Sequence, residues 1–419
     1  MEHSIASQLD SLNNLLARLG RGESYYRPVL DAVFRKGRGG SPAVASLQEF
    51  FAACPFTTKE DLLRDGEEHP PFGSNLPEPI ARYTRLCQTS GTATGQAMPV
   101  LDTPESWESM LGTWREVFRN AGLVAGRDRI FFAFGFGPFL GFWTAFEAAA
   151  TDYLSLPGGG MDSRARLAQM AQLGATVLCS TPTYAARLGQ LIGQAGYPGA
   201  HELAVKTLIV AGEPGGSVSA IRTRISSLWG GGRVFDHHGM TEVGPVSWEH
   251  PHSPGILCLD HQRFLCEVVD PQTGSEVEEG HEGELVLTTL ARTASPLLRY
   301  RTRDRVRKLL IDGVLHLDRG ILGRADDMVI VRGVNLYPSA VEEVIRSFPE
   351  VDEFRVVQRE VKAMAELELE VETTDSSLAP EIEQALRNRF SLRIPVTAVA
   401  PGSLPCHEFK AKRWTRAEA

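Results

Sequence analysis

The sequence predicts an α/β protein: a large N-terminal part with parallel sheet and a smaller antiparallel, barrel-like region, followed by a small, mobile α+β domain. Three observations predict it. Between Leu123 and Ala211, apolar runs alternate with helical patterns, the signature of a parallel sheet that binds ligands at its strand ends. From Ile256 to Leu317 the pattern changes to short alternating strands, with turns at Pro271-Gly274 and Asp312-Gly313. After Gly323 a compact series of strands and helices resembles a split βαβ arrangement.

Taken in order, residues 1 to about 80 read as mainly helical, with turn signals at Gly20, Gly22 and Gly37 to Gly40. Ile130 to Phe134 predicts a strand and Ser163 to Leu173 an amphipathic helix. A buried strand follows at Ala175 to Cys179, a helix at Tyr184 to Ala195, and another buried strand at Thr207 to Ala211. In the last part the order is strand 328–331, helix 339–347, strands 353–358 and 366–373, helix 380–390 and strand 395–399. The boundary falls near Arg324 to Asp327, which divides the chain into residues 1–323 and 324–419. No internal repeat or low-complexity tract interrupts it.

Bulk composition excludes several functions. Hydrophobic residues at 42% and charged residues at 23% are the balance of an ordinary globular protein. A net charge of −9 gives no general attraction to nucleic acid. The arginines at 299, 301, 303, 305 and 307 alternate with other residues and read as the solvated side of strands. The most apolar stretch, Ile130 to Ala150, contains Glu147 and glycines at 135, 137 and 141, so no membrane span is expected. Glu2 and Asp10 leave the N-terminus without a secretory pattern. Cys54, Cys87, Cys179, Cys258, Cys266 and Cys406 are too scattered for a disulfide framework, which points to a reducing cytoplasm.

The first chemical signal is Thr89-Ser90-Gly91-Thr92-Ala93-Thr94-Gly95-Gln96. Two glycines let a loop turn its amides inward and the hydroxyls add donors, the combination a polyphosphate needs. Alone it is also what an ordinary turn looks like, and it lacks the Gly-Lys-Ser/Thr ending of a Walker loop.

Its context decides. Pro55-Phe56-Thr57-Thr58-Lys59-Glu60-Asp61-Leu62 precedes the loop, and Ala211-Gly212-Glu213-Pro214 and Asp236-His237-His238-Gly239-Met240-Thr241-Glu242 follow it. Tyr300-Arg301-Thr302-Arg303-Asp304 comes next, then Gly323-Arg324-Ala325-Asp326-Asp327-Met328 with Arg332-Gly333-Val334-Asn335, then Glu408-Phe409-Lys410-Ala411-Lys412-Arg413. In this order the segments resemble the phenylacetate–CoA ligase family of the adenylate-forming superfamily, from residue 55 to 413. The Tyr300–Asp304 segment matches the family's motif residue for residue.

The resemblance implies a large ATP- and acid-binding adenylation domain and a mobile C-terminal domain carrying the catalytic lysine. It implies ATP-dependent activation of an aryl or arylacetic acid to acyl-AMP and transfer to CoA. A carrier-protein thiol or an amine is the alternative acceptor, and a homodimer is an allowed state. Attack on the α-phosphate expels pyrophosphate, so charge must be held by fixed donors and a divalent cation. By resemblance, Ser90, Gly91, Thr92, Thr94 and Gly95 hold the leaving phosphates, and Glu242 ligates Mg²⁺. Thr241 donates to the α-phosphate. Gly212, Glu213, Pro214, Asp236, His237, His238 and Gly239 lie along the nucleotide. Asp304 accepts the ribose hydroxyls, as a carboxylate suits a diol, with Arg324 nearby. Lys410 bridges the acyl carboxylate and the α-phosphate, and Asp326 is the hinge.

Three departures stand out. Gln96 replaces the phosphate-loop lysine, with Ala93 inserted before it; His238 replaces a tyrosine over the adenine; Phe409 replaces a glycine next to the lysine. They keep open a second reading, a catalytically weakened nucleotide-binding homologue.

The run Phe131 to Phe146 is expected to line the acid pocket, with Phe136 and Phe139 touching substrate beside Gly239 and Met240. Its glycines leave a narrow slot that favours a flat ring. Finally, His250, His252, Cys258 and Cys266 offer the nitrogen and sulfur ligands zinc prefers. In the family, cysteine and histidine exchange places at the positions of His250 and Cys258, so a structural Zn²⁺ is an expectation. The alternative is a plain hairpin with two small buried cysteines.

Overall fold

A computed structural model of the chain describes residues 2–21, 24–33, 42–89, 97–135, 137–332, 334–361, 364–405 and 412–416. A five-stranded parallel sheet forms its centre, in the order Leu154–Pro157, Arg129–Phe132, Val177–Ser180, Thr207–Val210, Arg233–Asp236. These short strands are apolar runs such as Val177-Leu178-Cys179, buried because helices cover both faces. Leu140–Ala149 and Pro104–Asn120 pack on one face, and Ser163–Leu173, Pro182–Leu191 and Ser219–Leu228 on the other. Local chemistry sets the helix ends. Asp162 and Thr181 cap their helices by accepting from Ala165 N–H and Tyr184 N–H, and Gly174 closes one in the left-handed region at φ 61°.

A six-stranded antiparallel sheet stands beside this core, in the order Ser247–Glu249, Ile256–Leu259, Val314–Arg324, Tyr300–Ile311, Glu282–Thr289, Phe264–Val269. The alternation along Tyr300–Ile311 buries Tyr300, Thr302, Asp304 and Val306 and turns the arginines outward. Those arginines are ion-paired, Arg301 with Glu284, Arg305 and Arg307 with Glu282, and Arg303 with Glu60. The expected solvated face is therefore largely neutralised.

The N-terminal helices Glu2–Leu19, Arg27–Val33, Leu47–Ala53 and Lys59–Glu68 bury Leu12, Leu15, Leu16 and Phe50 against Leu265, Leu290 and Leu298 of this region. Beyond Arg324 a one-turn 3-10 segment, Ala325–Asp327, leads to a separate sheet built on Met364–Glu372 and Phe354–Val361. Helices Pro338–Arg346 and Leu378–Phe390 cover it around Val341, Ile345, Leu367, Leu369 and Ile382. Among the described residues no helix is long and apolar enough to cross a membrane.

Candidate active site

The last parallel strand, Arg233–Asp236, adjoins the antiparallel sheet at Ser247–Glu249, and the described motif residues His238, Glu242, Asp304 and Arg324 lie along that seam. After Arg233–Asp236 the chain makes a two-residue strand, Gly239–Met240, pairs it with Gly244–Pro245, and so forces residues 241–243 into a tight turn. Gly244 has φ 98°, and a Cβ on Gly239 would lie 2.8 Å from the Gly244 carbonyl, so the turn requires glycine at both places.

That turn is held from beneath. Arg292, 2% exposed, forks onto Asp102 with Nε–Oδ1 at 2.8 Å and Nη2–Oδ2 at 2.5 Å. Its Nη1 donates to the carbonyls of Thr241 at 2.7 Å and Glu242 at 2.9 Å. The Glu242 carboxylate, on a residue 8% exposed, meets Lys59 Nζ at 2.9 Å. Lys59 opens a helix whose Thr58 cap and Asp61 form a reciprocal capping box. One residue earlier, Thr57 is strapped to the antiparallel sheet: its N–H donates to Arg299 O, its carbonyl accepts from Arg301 N–H, and its hydroxyl donates to Leu298 O. The lysine is thus positioned by backbone bonds rather than by its own flexible stem.

Across the seam, Asp304 is 4% exposed, and its Oδ2 lies 3.0 Å from His238 Nε2 while Oδ1 lies 3.4 Å from Arg324 Nη1. His238 Nδ1 is buried without a hydrogen-bond partner. Arg324 also forks onto Asp326 at 2.8 and 3.0 Å. Burial opposes the charge on both, but the hydrogen bonds between them win, holding the Asp326 carboxyl below and the Arg324 guanidinium above their ordinary values. Asp327 is pushed up by burial and by Asp326, which outweigh the opposing charge of Arg324.

Glu213 follows Gly212, which has φ 93°, and accepts from Thr183 N–H at 2.8 Å. Burial pushes its carboxyl up. Asp236 turns both oxygens inward, to Ser217 Oγ at 2.5 Å and His237 N–H at 3.0 Å. Burial raises it to about 6.

His237, expected along the nucleotide, has a buried side chain: its ring lies 4.2 Å from that of Trp114, and Nδ1 bonds Ser247 O at 2.5 Å. Burial takes its pKa down to about 3, so it is neutral. The zinc quartet does not assemble. Cys258 lies on Ile256–Leu259 and Cys266 on Phe264–Val269, with three strands of the same sheet between them, a separation of roughly 19 Å at the usual strand spacing. His250 and His252 have ring centroids 6.2 Å apart. Among the described residues no group of three or more His, Cys, Asp or Glu is placed to hold a metal. Cys54, Cys87, Cys179, Cys258 and Cys266 are free thiols.

Of the aromatic run, Phe131, Phe132 and Phe134 are core, and Trp143 Nε1 donates to Gly137 O at 2.9 Å. Phe139 caps the helix Leu140–Ala149 and is 50% exposed. Met240 and Gly239 are half-buried. Ser90, Gly91, Thr92, Ala93, Thr94, Gly95, Gln96, Phe136, Phe409 and Lys410 lie outside the described residues. Sequence reasoning quoted Lys59 without giving it a role, and missed the Asp102–Arg292 pair altogether. The two partners lie 190 residues apart, and nothing local marks either.

Known proteins place this arrangement. Residues 86–291 match the family model of the AMP-binding enzyme and residues 333–416 that of the AMP-binding enzyme C-terminal domain. It is 32% identical to a phenylacetate–coenzyme A ligase of Thermus thermophilus, over 96% of this chain and 94% of that one. A phenylacetate–coenzyme A ligase of Escherichia coli is 30% identical, over 86% of this chain and 83% of that one. By this likeness along nearly its whole length, the chain belongs to the phenylacetate–coenzyme A ligase family. The fold is that of a solved 2-hydroxyisobutyryl-CoA ligase in complex with 2-HIB-AMP, with a TM-score of 0.89 at 24% identity, covering 99% of this chain and 89% of that one.

Proposed function

We propose that the chain activates an aromatic carboxylic acid with ATP, giving acyl-AMP and pyrophosphate, and then passes the acyl group to coenzyme A. The observation that carries this reading is the pair of buried acids on the two sides of one seam. Asp304 has its oxygens on two donors that a ribose diol can replace, and Glu242 sits on a lysine within a braced turn. Membership of the phenylacetate–coenzyme A ligase family supports the substrate class, as does half-exposed Phe139 beside Gly137.

In the first step a carboxylate oxygen of the acid bonds to the α-phosphorus, and the bond to the bridging oxygen breaks. Thr241, presented by the tight turn, donates to the α-phosphate. Ser90, Thr92 and Thr94 receive the leaving phosphates, and Lys410 holds the two approaching anions together. Magnesium commonly uses one or two carboxylates together with substrate phosphates; Glu242 offers such a carboxylate, so the donor set fits. Bound there, the ion would neutralise charge on the departing oxygens. In the second step the thiolate sulfur attacks the acyl carbon and AMP leaves, after residues 324–419 turn about Asp326. Free thiols at five cysteines suit a cytoplasmic setting.

The test is a panel of benzoate and arylacetate acids, assayed for acid-dependent pyrophosphate exchange and for AMP release with and without CoA. An aromatic acid that drives exchange, with a CoA-dependent thioester, is the expected result. ATP binding without exchange for any acid would overturn it. Exchange without a CoA thioester would move the acceptor to a carrier-protein thiol or an amine.

A further inference from the structure

The helix Ser219–Leu228 carries two arginines with opposite destinations. Arg222 points inward and is fixed to Glu249 at 2.6 and 2.7 Å and to Gly216 O at 2.6 Å. Arg224 points out of the large domain and grips the turn after the helix Pro338–Arg346. Its Nη1 donates to Pro349 O at 3.3 Å and to Val351 O, and its Nη2 to Asp352 O at 3.0 Å, with Asp352 Oδ1 at 3.6 Å. Only 13% of its side chain is exposed. A guanidinium reading three carbonyls of one turn is a shape-specific contact, because its donors lie in a fixed fork.

The gripped turn leads to the lysine segment. Arg346 donates to Val351 O at 3.4 Å and Asp352 O at 3.2 Å and bonds Glu353 at 3.1 Å. Glu353 in turn holds Arg413 at 2.7 and 3.2 Å, and Glu342 holds Arg413 at 2.8 Å. The Arg413 carbonyl accepts from Val356 N–H at 2.7 Å. Arg413 stands three residues after Lys410 in the chain. Its charge and that of Glu213, in the segment after Thr207–Val210, act on one another, so Arg413 lies on the side of the nucleotide motif in this arrangement. Further contacts between the two parts, Ser339 to Leu322 O, Arg319 to Glu343 and Arg305 over Tyr337, start from residues 305–322, on the paired strands Tyr300–Ile311 and Val314–Arg324, the second of which ends two residues before Asp326.

We propose that Arg224 is a positioning residue for adenylation, which holds the small domain so that the lysine segment meets the α-phosphate and must let go before thioester formation. The proposal rests on the function given above. Losing a fork of charged hydrogen bonds slows the adenylation half-reaction by roughly 10- to 100-fold. It leaves CoA-dependent consumption of supplied acyl-AMP within about twofold of the wild type, or faster.

Full-length Arg224→Ala and Arg224→Gln would be compared with wild type by pyrophosphate exchange with the aromatic acid that drives it best in the panel above (phenylacetate the first tried), and by CoA-dependent turnover of that acid's synthetic acyl-AMP. Arg224→Lys, which keeps the charge but not the fork, should recover only part of the exchange rate. Small-angle scattering of the ligand-free proteins reads the arrangement directly: wild type should fit the one described, and the alanine variant should depart from it with an unchanged thermal midpoint. Equal slowing of both half-reactions, or scattering that does not change, overturns the proposal. A wild type inactive on every aromatic acid of the panel counts against the function instead, and the scattering comparison still decides the role of Arg224.

Discussion

Glu242 illustrates how little freedom this site leaves its groups: Arg292 fixes its backbone and Lys59 meets its carboxylate. Arg292→Met would leave Asp102 buried and unpaired and free two carbonyls. The expected loss is about 3–5 kcal/mol in a denaturant titration, with Arg292→Lys recovering part. His237 makes a separate, pH-dependent contribution. Its folded pKa of about 3 lies below the ordinary 6.5, so as pH falls the unfolded chain takes up a proton first. Stability from the neutral ring is complete above about pH 6.5 and is lost progressively toward pH 3, by up to a few kcal/mol. His237→Gln keeps a donor for Ser247 O and cannot titrate, so its unfolding free energy should fall less over that window. At the chemical step, Lys410→Ala should abolish acid-dependent AMP formation while ATP still binds, since that charge matters as the α-phosphate is attacked. Adenylation at the wild-type rate would transfer the role to Lys412.

At the scale of elements, local signals were the readable ones. Ser163–Leu173 appears at the limits the sequence gives, because an aspartate cap and a left-handed glycine mark its ends. The strands at 177–180 and 207–210 follow from continuous apolar runs. By contrast, Leu154–Pro157 and Arg233–Asp236 escaped notice, one with a half-exposed edge pattern and the other framed by charged residues. Motif order carried Asp304 and Glu242 to one seam, but could not show that the His237 side chain is buried or that Cys266 lies on a distant strand. Register and strand order are long-range properties, and the zinc expectation rested on proximity in sequence and on a Cys/His exchange in the family, neither of which carries strand order. The turn Ala325–Asp327 joins two sheets through a single short 3-10 segment. Asp326→Pro fixes φ there and also removes the carboxylate that Arg324 grips. Pre-steady-state kinetics should show acyl-AMP forming while thioester formation slows; equal effects on both steps would remove Asp326 as the pivot.

For the molecule as a whole, the strap at Thr57 has a consequence for how the protein comes into being. Thr57 and Tyr300 are bridged although 243 residues separate them in the chain, and Lys59 reaches Glu242 by way of that bridge. During synthesis at about 5–20 residues per second, the helix bearing Lys59 leaves the ribosome many seconds before the strand that must receive it. The parallel sheet, whose strands all end by Asp236, can close in the meantime without a finished phosphate site. The Lys59–Glu242 pair is therefore completed only after Tyr300–Ile311 has emerged, and Lys410 follows about 100 residues later still, so a nascent chain acquires the parts of its site in the order sheet, seam, lysine.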